Sequence, residues 1–352
     1  MPDGPVVILG AGAVGSYVGG LLTAAGREVV LIDTWAEHVD TIRKEGLTLD
    51  TPEGTLVAKP QAWHLGEISR LRRLEPAAAL LTVKLYDTEW SAVLLATWLP
   101  PAVPVVTLQN ALVEEIVARA VGWGRTLGAV GTGLDVALIG PGHVRRTRQR
   151  RCGAAAVFKI GEMHGRRTPR AEQLATLLGL VDQAEVTTDL WTVRWGKLCA
   201  NAMTTGLSGL TGMSLKAVYT SEATRRIAVT LASEALAVGA ALGFESPTIF
   251  GLPGEVWGAA ATGDEPALVR AMKAMRDQAA TMTEGGMSGT LQDLRRQRPT
   301  EVEFFNGFIA REGERLGVPA PTHARVAALI RKVESGHRTI SADALAEIGF
   351  QS

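Results

Sequence analysis

The sequence predicts an α/β chain whose first part forms a doubly wound, mostly parallel sheet and whose last part is an all-helical domain. Three observations carry this expectation. Short apolar runs alternate with helical segments in the first half, and a glycine-rich turn joins the first run to the first helix. Beyond about Asp189 the strand pattern gives way to long stretches of helical periodicity. A length of 352 residues suits two domains, each of roughly 100–200 residues. The boundary is placed to give 1–188 and 189–352.

Val6-Val7-Ile8-Leu9 reads as a buried strand, and Ser16 to Ala25 as a helix that stops at Gly26. Val29–Ile32, Ala79–Val83, Val105–Leu108 and Leu127–Val130 are further apolar runs, and such runs separated by helices indicate a sheet covered on both faces. Gly140-Pro141-Gly142 marks a turn between Val136–Ile139 and Val144–Thr147, and Ala154–Ile160 adds a strand, so part of this domain is expected to be antiparallel. In the second half Thr224–Leu242, Ala267–Thr283 and Val302–Leu316 read as helices, the last interrupted at Asn306-Gly307. Pro247, Pro253 and the glycines from Gly243 to Gly263 suggest a loop or a short broken helix.

Composition excludes several function classes. The apolar fraction is 46% and the formal net charge is zero, which gives no reason to expect a nucleic-acid groove or a membrane-surface patch. The densest basic run, Arg145 to Arg151, holds five arginines in seven positions and reads as a solvated hairpin. Cys152 and Cys199 lie far apart without metal spacing, and the six histidines form no ligand pattern. No metal is implied, and a reducing cytoplasm is the expected home. No apolar window is long enough for a membrane span, and no signal-peptide pattern precedes the first strand.

Gly10-Ala11-Gly12-Ala13-Val14-Gly15 fits G-x-G-x-x-G directly between a strand and a helix. In a Rossmann-type domain the first glycine makes the tight turn, the second lets a pyrophosphate approach the backbone, and the third packs the helix on the sheet. The helix start then offers N–H groups to phosphate. Asp33, 18 positions after Gly15, closes the second strand. A carboxylate there accepts from both ribose hydroxyls of NAD and repels the extra phosphate of NADP, so NAD(H) is the expected cofactor. Lys84 and Asn110 follow later strands, at the sheet edge where ligands bind; Asn110 is also a candidate cap for a helix near Leu112.

In the second half Lys197, Asn201 and Thr205 are spaced four apart and share a helix face among apolar neighbours. Reduction of a ketone needs a proton donor and a stabiliser of developing oxyanion charge, and a lysine supplies both. Partial burial would lower its pKa into the working range. Thr300-Glu301 is expected to open a helix, with Thr300 as its N-cap and Glu301 either serving the helix dipole or reaching a substrate.

These residues resemble the 2-dehydropantoate 2-reductase (ketopantoate reductase) family over nearly the whole chain. The resemblance rests on Gly10–Gly15, Thr82-Val83-Lys84, Gln109-Asn110, Trp195-Gly196-Lys197-Leu198 with Asn201, Leu291-Gln292-Asp293, Arg298-Pro299-Thr300-Glu301 and Asn306-Gly307. It implies a Rossmann domain followed by a helical one and reduction of the 2-oxo group of 2-dehydropantoate in pantothenate biosynthesis, usually with NADPH. By position, Lys197 would be the general acid, Asn110, Asn201 and Glu301 would hold substrate, and Lys84 would sit between cofactor and substrate. A homodimer is implied as well. Departures stand at Asp33-Thr34, where the family commonly has an arginine, at Ala111 for a glycine, at Thr205 for a second asparagine, and at Gly289 for a serine flanked by Ser288 and Thr290. Thr205 and Ser288 are accordingly candidate substrate contacts. Losing such hydrogen-bond partners can cost on the order of 10⁴ in discrimination, so a same-fold reductase of another carbonyl or imine compound is the alternative. A non-catalytic nucleotide sensor is disfavoured by the joint presence of Lys197, Asn201 and Glu301.

Overall fold

Four apolar residues in a row leave β1 (Val6–Leu9) with no face for water, and all four are buried inside a sheet. The structure, a computed structural model, describes residues 4–150, 155–282 and 284–349. Arg151, Cys152, Ala154 and Thr283, each part of an expectation above, lie outside the described residues. The chain divides into two units, Met1–Leu190 and Trp191–Ser352.

In the first unit β1 is followed by α1 (Ala13–Ala24), β2 (Val29–Asp33), α2 (Ala36–Glu45), β3 (Leu47–Thr51), β4 (Gly54–Ala58), β5 (Gln61–His64), β6 (Ala78–Leu81), α3 (Thr88–Trp98), β7 (Val105–Thr107) and α4 (Glu114–Val121). Then come β8 (Thr126–Gly131), β9 (Val136–Gly140), β10 (His143–Arg146), β11 (Phe158–Glu162), α5 (Pro169–Gly179) and β12 (Ala184–Val186). Eight strands make one sheet in the order β12-β11-β8-β7-β6-β1-β2-β5. From β5 to β8 the neighbours are parallel, whereas β11 runs antiparallel to β8. The chain winds outward from β1 through β2 to β5, then returns to β6 and winds the other way. Ligands of such sheets bind at the carboxyl ends of the strands beside that reversal.

Alternate side chains feed two apolar layers, as period-2 geometry demands. Val6, Ile8, Val29 and Leu31 pack with α1 and α5 residues such as Tyr17, Leu22 and Leu174. Val7, Leu9, Val30 and Ile32 pack with α3 and α4 residues such as Leu95 and Val117. A second sheet, β4-β3-β10-β9, holds the Gly140–Gly142 turn, with β3 parallel to β10. The basic run beside it is not a solvated hairpin. Arg146 is buried, its guanidinium 2.7 Å from the Asp182 carboxylate and donating to the Tyr17 hydroxyl at 2.8 Å. Arg150 donates to the carbonyls of Val181 and Leu180, and Arg145 keeps a half-exposed pair with Asp50. A buried carboxylate needs a paired cation, so one arginine is drawn into the core.

The second unit holds α6 (Leu190–Thr211), α7 (Leu215–Thr220), α8 (Glu222–Ala241), the two-residue strands β13 (Thr248–Ile249) and β14 (Leu252–Pro253), α9 (Gly254–Ala261) and α10 (Glu265–Ala279). It continues with α11 (Gly289–Arg295), α12 (Asn306–Leu316), α13 (Pro321–Glu334) and α14 (Ala344–Ile348). The stretch expected as a loop or broken helix is instead a tight hairpin leading into α9. The helix expected from Val302 is a 3-10 turn, Val302–Phe304, and Phe305 at φ −109°, ψ −96° ends it. Asn306-Gly307 therefore opens α12 rather than interrupting it. Among the described residues no helix is long and apolar enough to cross a membrane.

Candidate active site

The three glycines of the first turn each meet a different constraint. Gly10 has φ +103°, and a Cβ there would lie 2.6 Å from the Val83 nitrogen. A Cβ on Gly12 would meet nothing within 4 Å, so this position opens away from the protein. A Cβ on Gly15 would run into the Gly10 carbonyl and the Thr82 hydroxyl. The Thr82 Oγ1 donates to the Gly10 carbonyl at 2.6 Å and so fastens the turn to the end of β6. No side chain caps the start of α1 at Gly12. An open backbone face and an uncapped first turn suit a pyrophosphate, whose charge the helix end favours.

Asp33 ends β2 half-buried, and both its oxygens are engaged. Oδ2 accepts the Ala11 N–H at 2.6 Å and Oδ1 accepts the Trp35 N–H at 2.9 Å. It is not the cap of α2, whose N-cap position is Trp35. Each carboxylate oxygen retains a further lone pair for a hydroxyl donor. The dinucleotide therefore fits the residues present.

Lys84 lies just past β6 and begins a 3-10 turn, Leu85–Asp87. Asn110 lies just past β7, the neighbour of β6. Between them Gln109 donates to the Val83 carbonyl at 2.8 Å and to the Thr88 hydroxyl at 2.9 Å, pinning the Lys84 segment. Asn110 does not cap a helix at Leu112. Helix α4 begins at Glu114 behind Val113, because Ala111 adopts φ +57° and turns the chain first. A left-handed alanine costs on the order of 1 kcal/mol, which the expected glycine would not incur.

Helix α6 carries the other candidates. From Arg194 to Leu210 every residue is buried except Lys197, Ala200, Asn201 and Thr205. Those four share one face, so a half-exposed polar stripe runs along an otherwise enclosed helix. Burial lowers the Lys197 pKa to about 7, with the buried Arg194 cation lowering it further and Glu301 opposing. A desolvated ammonium between a cation and a carboxylate can give up and regain a proton near neutrality. Thr205 donates its hydroxyl proton to the Asn201 carbonyl at 2.9 Å, which leaves it an acceptor rather than the donor an asparagine amide would be.

Thr300 is not the N-cap expected of it: Glu301 holds that position before the 3-10 turn, and the Thr300 hydroxyl accepts the Val302 N–H at 3.3 Å. Ser288 is buried and caps α11. Its hydroxyl accepts from the Leu291 N–H at 3.0 Å and donates to the Thr205 carbonyl at 3.3 Å. Its proton is thus committed to α6 and one lone pair to α11, whereas a Cβ at Gly289 would meet nothing within 4 Å. Cys199 is buried and free, its thiol pushed up by burial and so unreactive. Among the described residues no group of three or more His, Cys, Asp or Glu could hold a metal ion.

Sequence reasoning passed over Arg194, Ser16 and His38. Arg194 could have been found by its i−3 spacing from Lys197 on one helix face. Ser16 directly follows the third glycine, and its hydroxyl donates to the Ala11 carbonyl at 2.6 Å. His38 offers no sequence signal.

The family model described as "Ketopantoate reductase PanE/ApbA" matches residues 6–158, and its C-terminal counterpart matches residues 189–334. A 2-dehydropantoate 2-reductase of Archaeoglobus fulgidus is 30% identical over 335 residues, covering 94% of this chain and 98% of that protein. The crystal structure of a PanE/ApbA family ketopantoate reductase from Ralstonia eutropha has a TM-score of 0.77 at 27% identity, covering 95% of this chain and 100% of that one. D-mandelate dehydrogenase, solved with NADH and anilino(oxo)acetate, has a TM-score of 0.77 at 22% identity over 94% of this chain and 98% of its own, a likeness of fold.

Proposed function

Because the chain belongs to the ketopantoate reductase family of NAD(P)-dependent oxidoreductases, we propose that it reduces a small 2-oxo acid to the 2-hydroxy acid, 2-dehydropantoate to pantoate in the first instance. The observation that carries this reading is Lys197, an ammonium brought to about 7 on the half-exposed stripe of α6. A bound reduced nicotinamide supplies the hydride for the carbonyl carbon. Lys197 donates the Nζ proton to the carbonyl oxygen as charge develops there, and recovers a proton from solvent afterwards. Asn201, Asn110 and Glu301 hold the substrate, Glu301 also sustaining the protonated lysine. Thr205 offers an acceptor, and Ser288 acts only through the Thr205 carbonyl. Lys84 stands where cofactor and substrate meet. Gly10 to Gly15, with Ala11, Ala13 and Val14 between them, seat the pyrophosphate, and Asp33 favours NADH over NADPH.

A second reading has its own support. Thr205, with its proton committed to Asn201, gives a substrate no donor where an asparagine amide would offer N–H groups, and Gly289 leaves side-chain space open. Both features suit a bulkier or less polar 2-oxo acid on the same chemistry. The test is the loss of NADH or NADPH absorbance with 2-dehydropantoate and a panel of straight, branched and aryl 2-oxo acids. We expect faster turnover with NADH at equal concentration; a strong NADPH preference defeats the Asp33 argument, and oxidation with no carbonyl compound defeats the proposal. Lys197→Ala should lower kcat by about 10²-fold or more on the best substrate, and full retention of turnover would remove the lysine from the acid role.

A further inference from the structure

His38 lies on α2, away from the glycine turn in sequence, and is completely enclosed. Its Nδ1 accepts the Gly142 N–H at 2.9 Å. An imidazole that accepts at Nδ1 carries its proton at Nε2, and Nε2 lies 3.1 Å from the Ser16 hydroxyl. That hydroxyl passes its own proton on to the Ala11 carbonyl at 2.6 Å. The Ala11 N–H in turn donates to Asp33, whose other oxygen accepts the Trp35 N–H. The Trp35 indole stacks on His38, ring centres 5.3 Å apart and planes 11° from parallel, and so closes a ring of contacts.

Both polar groups of the Ala11 backbone are thereby held, one through His38 and one through Asp33. Ala11 separates the positive-φ Gly10 from the open Gly12, so its peptide orientation sets where the backbone faces an incoming pyrophosphate. We propose that His38 is a positioning residue for the dinucleotide: through Ser16 it fixes the carbonyl of Ala11, and through the Trp35 stack it fixes the ribose-facing carboxylate of Asp33. The inference rests on the reading of Gly10–Gly15 as the dinucleotide turn. Burial holds the imidazole below its usual range, against the opposing charge of Asp33 and a hydrogen bond to the Ala11 backbone, which keeps the ring neutral; the Gly142 N–H then leaves Nδ1 the acceptor. Preorganised backbone of this kind spares the cofactor the cost of ordering the turn on binding.

Two isosteric replacements separate this role from simple space filling. In His38→Gln the terminal amide falls near the Nε2 position and can still serve Ser16. In His38→Asn it falls near the Nδ1 position and serves only Gly142. NADH and NADPH affinity, read by calorimetry for wild type, H38Q, H38N and S16A, should stay within about threefold of wild type for H38Q and weaken by about tenfold for H38N and S16A. The kcat at saturating dinucleotide should be unchanged in all three, and the Tm of H38N should be no lower than that of H38Q. Nitrogen-15 NMR of the wild type should show the Nε2-protonated tautomer. Wild-type affinity in H38N or S16A, affinity losses that simply track Tm, or an Nδ1 proton would each overturn the proposal. Failure of the wild type to bind either dinucleotide would instead overturn the reading of the turn, and the proposal with it.

Discussion

A lysine that titrates near neutrality makes the reaction's pH dependence a property of one side chain. As general acid Lys197 must carry its proton, so kcat/KM for reduction should be level below about 7 and fall about tenfold per pH unit above it. The two charges around it should move that break in opposite directions. Glu301 holds the ammonium's pKa up, so Glu301→Gln should bring the fall to lower pH, whereas Arg194→Met, which removes a repelling cation, should carry it higher. A profile measured at saturating NADH that stays level to pH 9, or does not move in either variant, would exclude Lys197 as the proton donor. The polar stripe of Lys197, Asn201 and Thr205 was legible as a period of four residues. Its setting was not. Spacing places Arg194 one turn before Lys197, but arginine is seldom buried, so nothing local shows that this cation is enclosed and tunes the lysine. Ser288 shows the converse: its hydroxyl reads as a free contact until the start of α11 is known, and only then does the Leu291 N–H claim it.

At the scale of elements, the junction of β1 and α1 divides its glycines between folding and binding. Gly15→Ala would set a methyl against the Gly10 carbonyl and the Thr82 hydroxyl, and should destabilise by about 1–3 kcal/mol, with a fall in Tm. Gly12→Ala finds open space, so Tm should hold while NADH affinity falls about tenfold or more. Equal effects of the two on Tm, or no effect of Gly12→Ala on binding, would contradict that division. A comparable test lies between α6 and α8, where a methyl on Gly239 would strike the buried Trp195 indole, two residues from Lys197. Gly239→Ala should lower the urea midpoint by the equivalent of about 1–3 kcal/mol, and an unshifted midpoint would mean that the two helices part freely there. The central strands β1, β2, β6, β7 and β8 were legible because strands buried on both faces are uninterrupted apolar runs. The edge strand β5, Gln61-Ala62-Trp63-His64, is half polar, and β12 has three residues. The β3–β4 hairpin, turning at Gly54 with φ +129°, is exposed along β4 and shows no such run. Such strands owe their form to the neighbour they pair with, which no local pattern announces.

The whole molecule should weaken in mild acid, and the histidines explain where. His323 on α13 is wholly enclosed; its Nε2 donates to the Leu231 carbonyl of α8 at 2.8 Å, and its Nδ1 lies 3.0 Å from the amide of Asn306 on α12. Asn306 donates as well to the Ala202 carbonyl, so one neutral imidazole helps tie α8, α12 and α13 to α6. Burial lowers its pKa from 6.5 to about 4. Between those values an unfolded chain takes up a proton that the folded one refuses, so the stability present above 6.5 is lost progressively as pH falls toward about 4. Each such group can remove up to about 1.4 kcal/mol per pH unit, and His38, also lowered by burial, adds in the same direction. Carboxylates such as Glu67, held low chiefly by the His64 amide, begin to respond only below 4.5, which separates the two causes. Urea unfolding at pH 7, 6 and 5 should therefore show a steady loss in the wild type. His323→Gln should be less stable at pH 7 and flatter across the same interval, because the group that resists protonation is gone. A slope unchanged by that substitution would place the acid sensitivity elsewhere and leave His323 a packing residue of the helical unit.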